Sequence, residues 1–401
     1  LKHSVQKFLS LSFIRNGIEP VTKEELSMRV GIVGAGIVGL AYAWAAARRG
    51  HQVTVLEKSP WASGASVRNF GMVWPIGQPA GSGYQTALQS RRLWLELSAA
   101  AGVWVNRCGS LHLAYHDDEL AVLKEFAAAA PDLGVDCCLQ SPREIVSRSP
   151  AANPDGLLGG LFSPTELCVN PRVASARIAQ WLSHHHHVDF HFSSQVTAVE
   201  STTLRTADGI ARDFDRVIVC GGAEAGTLFP VPMRQSGLRM CKLQMLRTVA
   251  QPAAWRLGPH IAGGLTLRHY RSFEICPTLA SLKQRIAEEK PELDRYGIHV
   301  MASQDDQGHV ILGDSHEYDD QIDPFDKESI DELILRELKT LIRLPTWAIE
   351  ARWHGVYAKH PESPIYRDQP IPGVYLRTGT GGAGMTMSFG LAEADWDALG
   401  K

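Results

Sequence analysis

The sequence predicts an α/β protein in which a helix-covered parallel sheet shares the chain with an interleaved α+β part built on an antiparallel sheet. Three observations predict it. An apolar run, Arg29-Val-Gly-Ile-Val, enters glycines and an Ala-rich helical stretch before a second apolar run, Val53-Thr-Val-Leu. A middle block, 238–313, is rich in short β-prone runs. A second glycine-rich strand-to-helix turn, Thr378-Gly-Thr-Gly-Gly-Ala-Gly384-Met-Thr-Met387, lies near the end of the sequence. Alternating strand and helix signals favour a parallel sheet, and successive strand signals favour an antiparallel one.

The first unit carries the most information. Gly34-Ala35-Gly36-Ile37-Val38-Gly39 joins the first strand to the helix, and Glu57-Lys58 ends the second strand. An acid about twenty residues beyond a GxGxxG turn is the dinucleotide-binding (Rossmann) pattern. Gly34 allows the tight turn, Gly36 lets the backbone approach a pyrophosphate, and Gly39 permits close packing of helix on strand. The helix N-terminus offers N–H groups and a positive dipole end to phosphates. Glu57 is placed to accept hydrogen bonds from an adenosine ribose.

Beyond this unit, 59–79 is rich in Gly, Ser, Pro and Asn and reads as an extended loop able to run over a cofactor. Helices are expected over 85–101, where Leu88, Leu93, Trp94 and Leu97 share a face, and over 119–130, ended by Pro131. A strand is expected at 111–115, and 157–162 begins a return towards the nucleotide-binding part. Asn170-Pro171 marks the start of a helix over 171–182. His184, His185, His186 and His187 then precede a strand at 188–192. Metal ligands must converge in space, so this run reads as a polar loop. Strands at 195–200, 203–206 and 215–220 follow, the last aiming the backbone of Cys220, Gly221 and Gly222 at the same nucleotide. β-rich runs at 238–248, 265–277 and 300–313, broken by a charged insert at 282–294, form the second sheet. A helix over 326–341, a strand at 374–377 and a helix over 388–399 complete the order. The expected division is a nucleotide-binding domain from 28–80, 150–236 and 325–401, and a substrate-binding domain from 81–149 and 237–324.

A net charge of −3 over 401 residues gives no electrostatic footprint for nucleic acid or an anionic membrane. No apolar run reaches the roughly twenty residues of a membrane span. The seven cysteines form no CxxC pair, so neither a metal site nor a disulfide frame is expected, and a reduced cytoplasmic setting is the simplest. Residues 1–27 lack the design of a signal peptide, since Phe8-Leu-Ser-Leu-Ser-Phe-Ile14 is short and interrupted by serines. They read as a flexible extension or an upstream translated segment, and a chain beginning at Met28 is expected to stay stable and active.

On these residues the chain resembles the FAD-dependent amine and amino-acid oxidoreductases related to glycine oxidase, D-amino-acid oxidase and sarcosine oxidase. The resemblance covers 28–399 and is carried by the first glycine turn with Glu57-Lys58, Ser63-Gly-Ala-Ser66, Arg216-Val-Ile-Val-Cys-Gly221-Gly222 and Gly379-Thr-Gly-Gly-Ala-Gly384-Met-Thr. It implies FAD in a domain of the glutathione-reductase type. Ser66, Arg68, Asn69, Phe70, Gly71 and Met72 would pass the pyrophosphate and the flavin, although Arg68 also suits a surface ion pair. Val196 would offer backbone contacts to adenine. Gly381, Gly382, Ala383, Gly384, Met385 and Thr386 would place N–H groups at the flavin's pyrimidine edge, where negative charge grows on reduction. In some relatives a cysteine in the C-terminal third bonds the flavin; no cysteine follows Cys276, so the FAD is expected to be non-covalent.

Gly64-Ala-Ser-Val-Arg68-Asn69-Phe-Gly-Met-Val-Trp74-Pro and Leu265-Thr-Leu-Arg268-His269-Tyr270 are similar to a narrower subgroup associated with bacterial breakdown of 2-aminoethylphosphonate. That implies oxidation of a small secondary amine, N-methyl-2-aminoethylphosphonate, by hydride transfer to the flavin, hydrolysis of the imine and reoxidation by O2 or another acceptor. A D-amino-acid or glycine/sarcosine-type oxidase or dehydrogenase is the enzymatic alternative, and a flavoprotein subunit of a larger complex the other; a homo-oligomer fits each. One departure bears on the substrate. Glycine-oxidase-like sequences place a carboxylate-gripping arginine where this chain has Tyr357, in Arg352-Trp353-His-Gly355-Val-Tyr357-Ala-Lys359. Arg268, His269, Tyr270, Arg352 and Tyr357 are the candidate donors to a phosphonate, each with a structural alternative. A regular strand would turn His269 and Tyr270 to opposite sides. No catalytic triad is visible; Lys242 and His269 are the catalytic candidates, Lys242 either as a cation beside the flavin or as a solvated lysine.

Overall fold

The computed structural model describes residues 27–319 and 321–399; the expected N-terminal extension lies, but for its last residue, outside them. The first sheet has six strands in the order Tyr366–Ile371, Val374–Thr378, Arg216–Val219, Arg29–Val33, Gln52–Leu56 and Asp189–His191. All neighbours are parallel except the first pair. Val30 and Ile32 are fully buried on one side of a helix, Ile37–Ala47, whose Leu40 to Ala46 are themselves buried all round. A helix with no polar face must be enclosed, and here Pro171–His186 and Gly384–Leu399 pack on it, with Ser82–Ala101 against both of those.

The second sheet has nine strands: Glu317–Asp319, Arg239–Thr248, Val310–Gly313, Met301–Gln304, His260–Ala262, Ser110–Ala114, Gly159–Ser163 and Cys138–Gln140 in order, with Ile349–Lys359 along the free side of Arg239–Thr248. It is antiparallel as expected except for one parallel pair, His260–Ala262 with Ser110–Ala114. Gly159–Ser163 and Ile349–Lys359 lie in this sheet although 150–236 and 325–401 were expected in the nucleotide-binding part. The Arg239–Thr248 and Ile349–Lys359 register matters for the site. Cys241 opposes Tyr357 and Leu243 opposes Gly355 on one face; Lys242 opposes Val356 and Leu246 opposes Arg352 on the other.

Three local expectations are corrected. The run 265–277 is not a strand but a short helix, Gly264–Leu267, and a 3-10 turn, Arg271–Ile275. Leu265 and Leu267 are buried together, so enclosure outweighs their β-prone sequence. The charged insert is two helices, Leu279–Glu289 and Pro291–Arg295. Pro131 does not end its helix, which runs from Asp117 to Leu133 and stops at Gly134 in the left-handed region; a proline this near the end costs few backbone hydrogen bonds. The histidine run is not a loop, because Pro171–His186 extends through it and His187 caps it at φ 54°. Imidazoles at a helix C-terminus suit its negative dipole end, and His185 and His186 pack on Trp181. All seven cysteines are free, and no described helix is long and apolar enough to cross a membrane.

Candidate active site

A cavity of about 860 Å3 lies between the two sheets. Its first rim is backbone. Gly34 holds φ +101° with Cys220 O 2.6 Å from where a Cβ would stand, and a Cβ on Gly39 would come within 1.9 Å of Gly34 O. The helix Ile37–Ala47 therefore sits directly against the strand end, with its N-terminus on the cavity. Ser66 Oγ accepts the Ile37 N–H at 2.8 Å, which leaves the hydroxyl proton free to be donated to a phosphate oxygen. Glu57 accepts the Ala35 and Ser59 N–H groups, one on each carboxylate oxygen, both at 2.9 Å, and each oxygen keeps capacity for a ribose hydroxyl.

Of the residues expected to hold the dinucleotide, Gly34, Gly36, Ile37, Val38, Glu57 and Lys58 line this cavity. So do Ser66, Arg68, Asn69, Phe70 and Met72 of the loop, Val196, the Cys220 to Gly222 backbone, and all of Gly381 to Thr386. Ala35, Gly39 and Gly71 lie beneath its surface. Asn69 spends its amide on the loop itself: Nδ2 donates to Ala65 O and Ser66 O, and Oδ1 accepts from Gly71 N–H. Arg68, besides lining the cavity, donates from Nη1 to His354 O at 3.2 Å. A glycine cradle facing free N–H groups, an acid beyond it and a second glycine turn opposite fit FAD.

Three of the expected substrate donors line the cavity and two do not. Tyr357, His269 and Tyr270 face it. Because 269 and 270 follow a helix rather than lie on a strand, both face the same side, and Tyr270 stacks on Trp74. Arg268 is turned away, ion-paired to Asp294 and donating to Ile298 O at 2.8 Å. Arg352 pairs with Asp331 at 3.0 Å on the far face of its strand, with 58% of its side chain exposed. Lys242 is neither beside the cavity nor solvated. It is 1% exposed, paired with Asp326 at 2.9 Å and donating to the carbonyls of Asp323 and Phe325. The strand register explains this, since Lys242 and Arg352 share the face opposite Tyr357.

The wall facing the glycine turns holds residues that carry no signal in the sequence. His299 and His316 come together with His269, ring centroids 4.0 to 4.8 Å apart, and Asp314 lies beside them. Lys359 also lines the cavity, its stem against Gly381 and its Nζ donating to Tyr318 Oη at 3.3 Å. Burial pushes the His316 imidazole down to about 3 and the His269 and His299 imidazoles well below their ordinary range, with the neighbouring imidazoles adding to the effect on His269 and His299. Burial likewise raises the Asp314 carboxyl and lowers the Lys359 ammonium. Such a wall disfavours charge on its own groups until a charged ligand compensates it. The one hint of it in the sequence is Tyr357 in place of arginine, which says that a clamp is missing but not what replaces it.

The profile of the family described as DAO, FAD dependent oxidoreductase, matches residues 29–394. A subunit of the opine oxidase of Rhizobium meliloti is 22% identical over 92% of this chain and 93% of its own length. The tRNA 5-methylaminomethyl-2-thiouridine biosynthesis bifunctional protein MnmC of Chromohalobacter salexigens is 30% identical over 50% of this chain, a match spanning only 29% of that protein. Glycine oxidase from Bacillus cereus superposes with a TM-score of 0.73 at 18% identity, covering 94% of this chain and 96% of that one.

Proposed function

Because the chain belongs to the FAD dependent oxidoreductase family, we propose that it oxidises the C–N bond of a small secondary amine that carries an acidic group, with N-methyl-2-aminoethylphosphonate as the substrate. FAD, when bound, supplies the acceptor for the two electrons. The chain supplies the rest. The glycine turns at 34–39 and 379–384 and the loop 59–79 hold the cofactor, while Tyr357, Lys359 and the histidine wall receive the acidic end of the substrate. Burial lowers the Lys359 ammonium here, and a substrate ammonium buried in the same cavity is pushed the same way, towards the neutral amine that C–H cleavage needs. The observation that carries this reading is Tyr357 facing the cavity beside Lys359 and three imidazoles, while Arg268 and Arg352 point elsewhere. An α-carboxylate suits a bidentate arginine fork; a tetrahedral phosphonate is met as well by donors spread over a wall.

Anaerobic mixing of the yellow protein with N-methyl-2-aminoethylphosphonate tests the proposal: bleaching of the oxidised flavin band is expected, with formaldehyde as product. No bleaching, while dithionite still reduces the flavin, would sink the phosphonate reading and direct attention to glycine and D-amino acids. Acid precipitation is expected to release the FAD into the supernatant. The end-to-end match to one component of an opine oxidase favours a second reading, in which the chain works within a hetero-oligomer; a partner copurifying in fixed ratio would support it.

A further inference from the structure

We propose that His269, His299, His316 and Asp314 form a site for one divalent transition-metal ion of the zinc class, open to the cavity. These residues come from different stretches of chain: the turn after Gly264–Leu267, the residues just before Met301–Gln304, and the connection between Val310–Gly313 and Glu317–Asp319. One ring nitrogen from each histidine lies within 4.8 Å of the others. The hydrogen bonds of these groups do not account for the gathering. Asp314 Oδ1 is buried and without a hydrogen-bond partner, a cost that native proteins accept where a ligand repays it.

The separations are longer than hydrogen bonds, and the one between His299 and Asp314 is that of two donors on a single ion. His299 Nε2 stands 3.3 Å from Asp314 Oδ1, and His316 Nε2 stands 3.9 Å from Asp314 Oδ2. Charge-assisted N–H···O bonds close to about 2.7–2.9 Å, whereas donors bound tetrahedrally at about 2.0–2.1 Å stand roughly 3.3 Å from one another. His316 Nδ1 lies 3.3 Å from Gly297 O, a backbone partner of the kind that turns the other ring nitrogen of a histidine towards a metal. Three imidazoles and one carboxylate are a ligand set for zinc and its neighbours rather than for magnesium or calcium. A carboxylate also argues against a site built for an anion alone. The site stands without the proposed function. Resting on that reading, the ion would do the work of the missing arginine, since a dication beside Lys359 leaves positive charge for a phosphonate to neutralise.

The test uses the flavin-loaded protein with His184→Ala, His185→Ala, His186→Ala and His187→Ala, so that the exposed run contributes no binding. After stripping with a chelator, it is dialysed against Zn2+ and analysed for metal. One equivalent per chain is expected, and His299→Ala and His316→Ala should each weaken binding by at least about 100-fold. Unchanged tight binding in both variants, or no stoichiometric zinc at 100-fold excess of free ion, overturns the site. Zinc-edge absorption on the protein with its wall intact provides a reading that needs no wall variant: three imidazole ligands are expected, and a shell of water oxygens alone overturns it. Zinc uptake is measured without an amine, so a failed phosphonate assay leaves this result standing, and the reverse.

Discussion

The two walls of one cavity are built by different means. The glycine wall is backbone: Gly34 and Gly39 press a helix N-terminus against a strand end, and Gly381 to Gly384 bring a second turn opposite. The histidine wall is side chain, with His269, His299, Asp314, His316, Tyr357 and Lys359 delivered by separate stretches of the nine-stranded part. A backbone site needs glycines at fixed spacing, because a Cβ has nowhere to go, and it leaves a written signature. A side-chain site needs only that distant residues meet, and it leaves at most a partial one.

The largest effect separating the walls is expected from Gly39→Ala. A Cβ 1.9 Å from Gly34 O forces helix and strand apart, so the variant should lose its flavin altogether, read from the ratio of flavin to protein absorbance. A yellow, stable Gly39→Ala protein would break the contrast between the walls. On the other wall, Lys359→Met keeps the stem against Gly381 and removes the charge. It should retain its flavin and raise KM for the anionic amine by about 10- to 100-fold, the worth of a charge-assisted hydrogen bond of about 1.5–3 kcal/mol.

Behind the walls, His112 is fully buried between Trp74 and Phe273 with both ring nitrogens unpartnered. Burial pushes it down to about 3 from an ordinary 6.5. Between those values the unfolded chain binds a proton that the folded chain refuses, so its contribution costs stability as pH falls from about 6.5 towards 3. His112→Phe should flatten that acid slope in thermal melts and add about 1–3 kcal/mol at pH 5 by removing the unpartnered atoms; an unchanged slope would assign acid sensitivity elsewhere. The smallest effect belongs to Arg352→Ala. Its guanidinium is exposed, and the Asp331 carboxylate it pairs with is buried but keeps its bond from Gln244, so the loss should be about 1 kcal/mol, and KM should not move, because the guanidinium is on the far face from Tyr357. A rise in KM would place Arg352 back in the site.

Legibility in the sequence follows the same divide. The first βαβ unit, the strand into Gly221 and Gly222, and the C-terminal glycine turn are readable because periodicity and glycine spacing are local. The substrate wall is readable only in part. His269 and Tyr270 stand out beside each other but on an expected strand, and their common orientation comes from an enclosed helical turn that local propensity does not report. Lys242 and Arg352 attract notice by charge, yet which face of a strand a residue occupies depends on register with a partner more than a hundred residues away. Lys359 lies two residues beyond Tyr357, on the same face of the same strand, and alternation from Tyr357 would find it. His299 and His316 have no local signal.

The helix Gly384–Leu399 packs against both Ile37–Ala47 and Ser82–Ala101, and its Asp395 is held by Tyr42, Arg367 and Arg377. A ribosome makes the first glycine turn early and the helix that encloses it late. The nascent nucleotide fold must therefore wait, with its most apolar helix uncovered, until Gly384–Leu399 has emerged. Flavin capture then follows the docking of Gly384–Leu399, and the speed at which newly made protein turns yellow reports that docking.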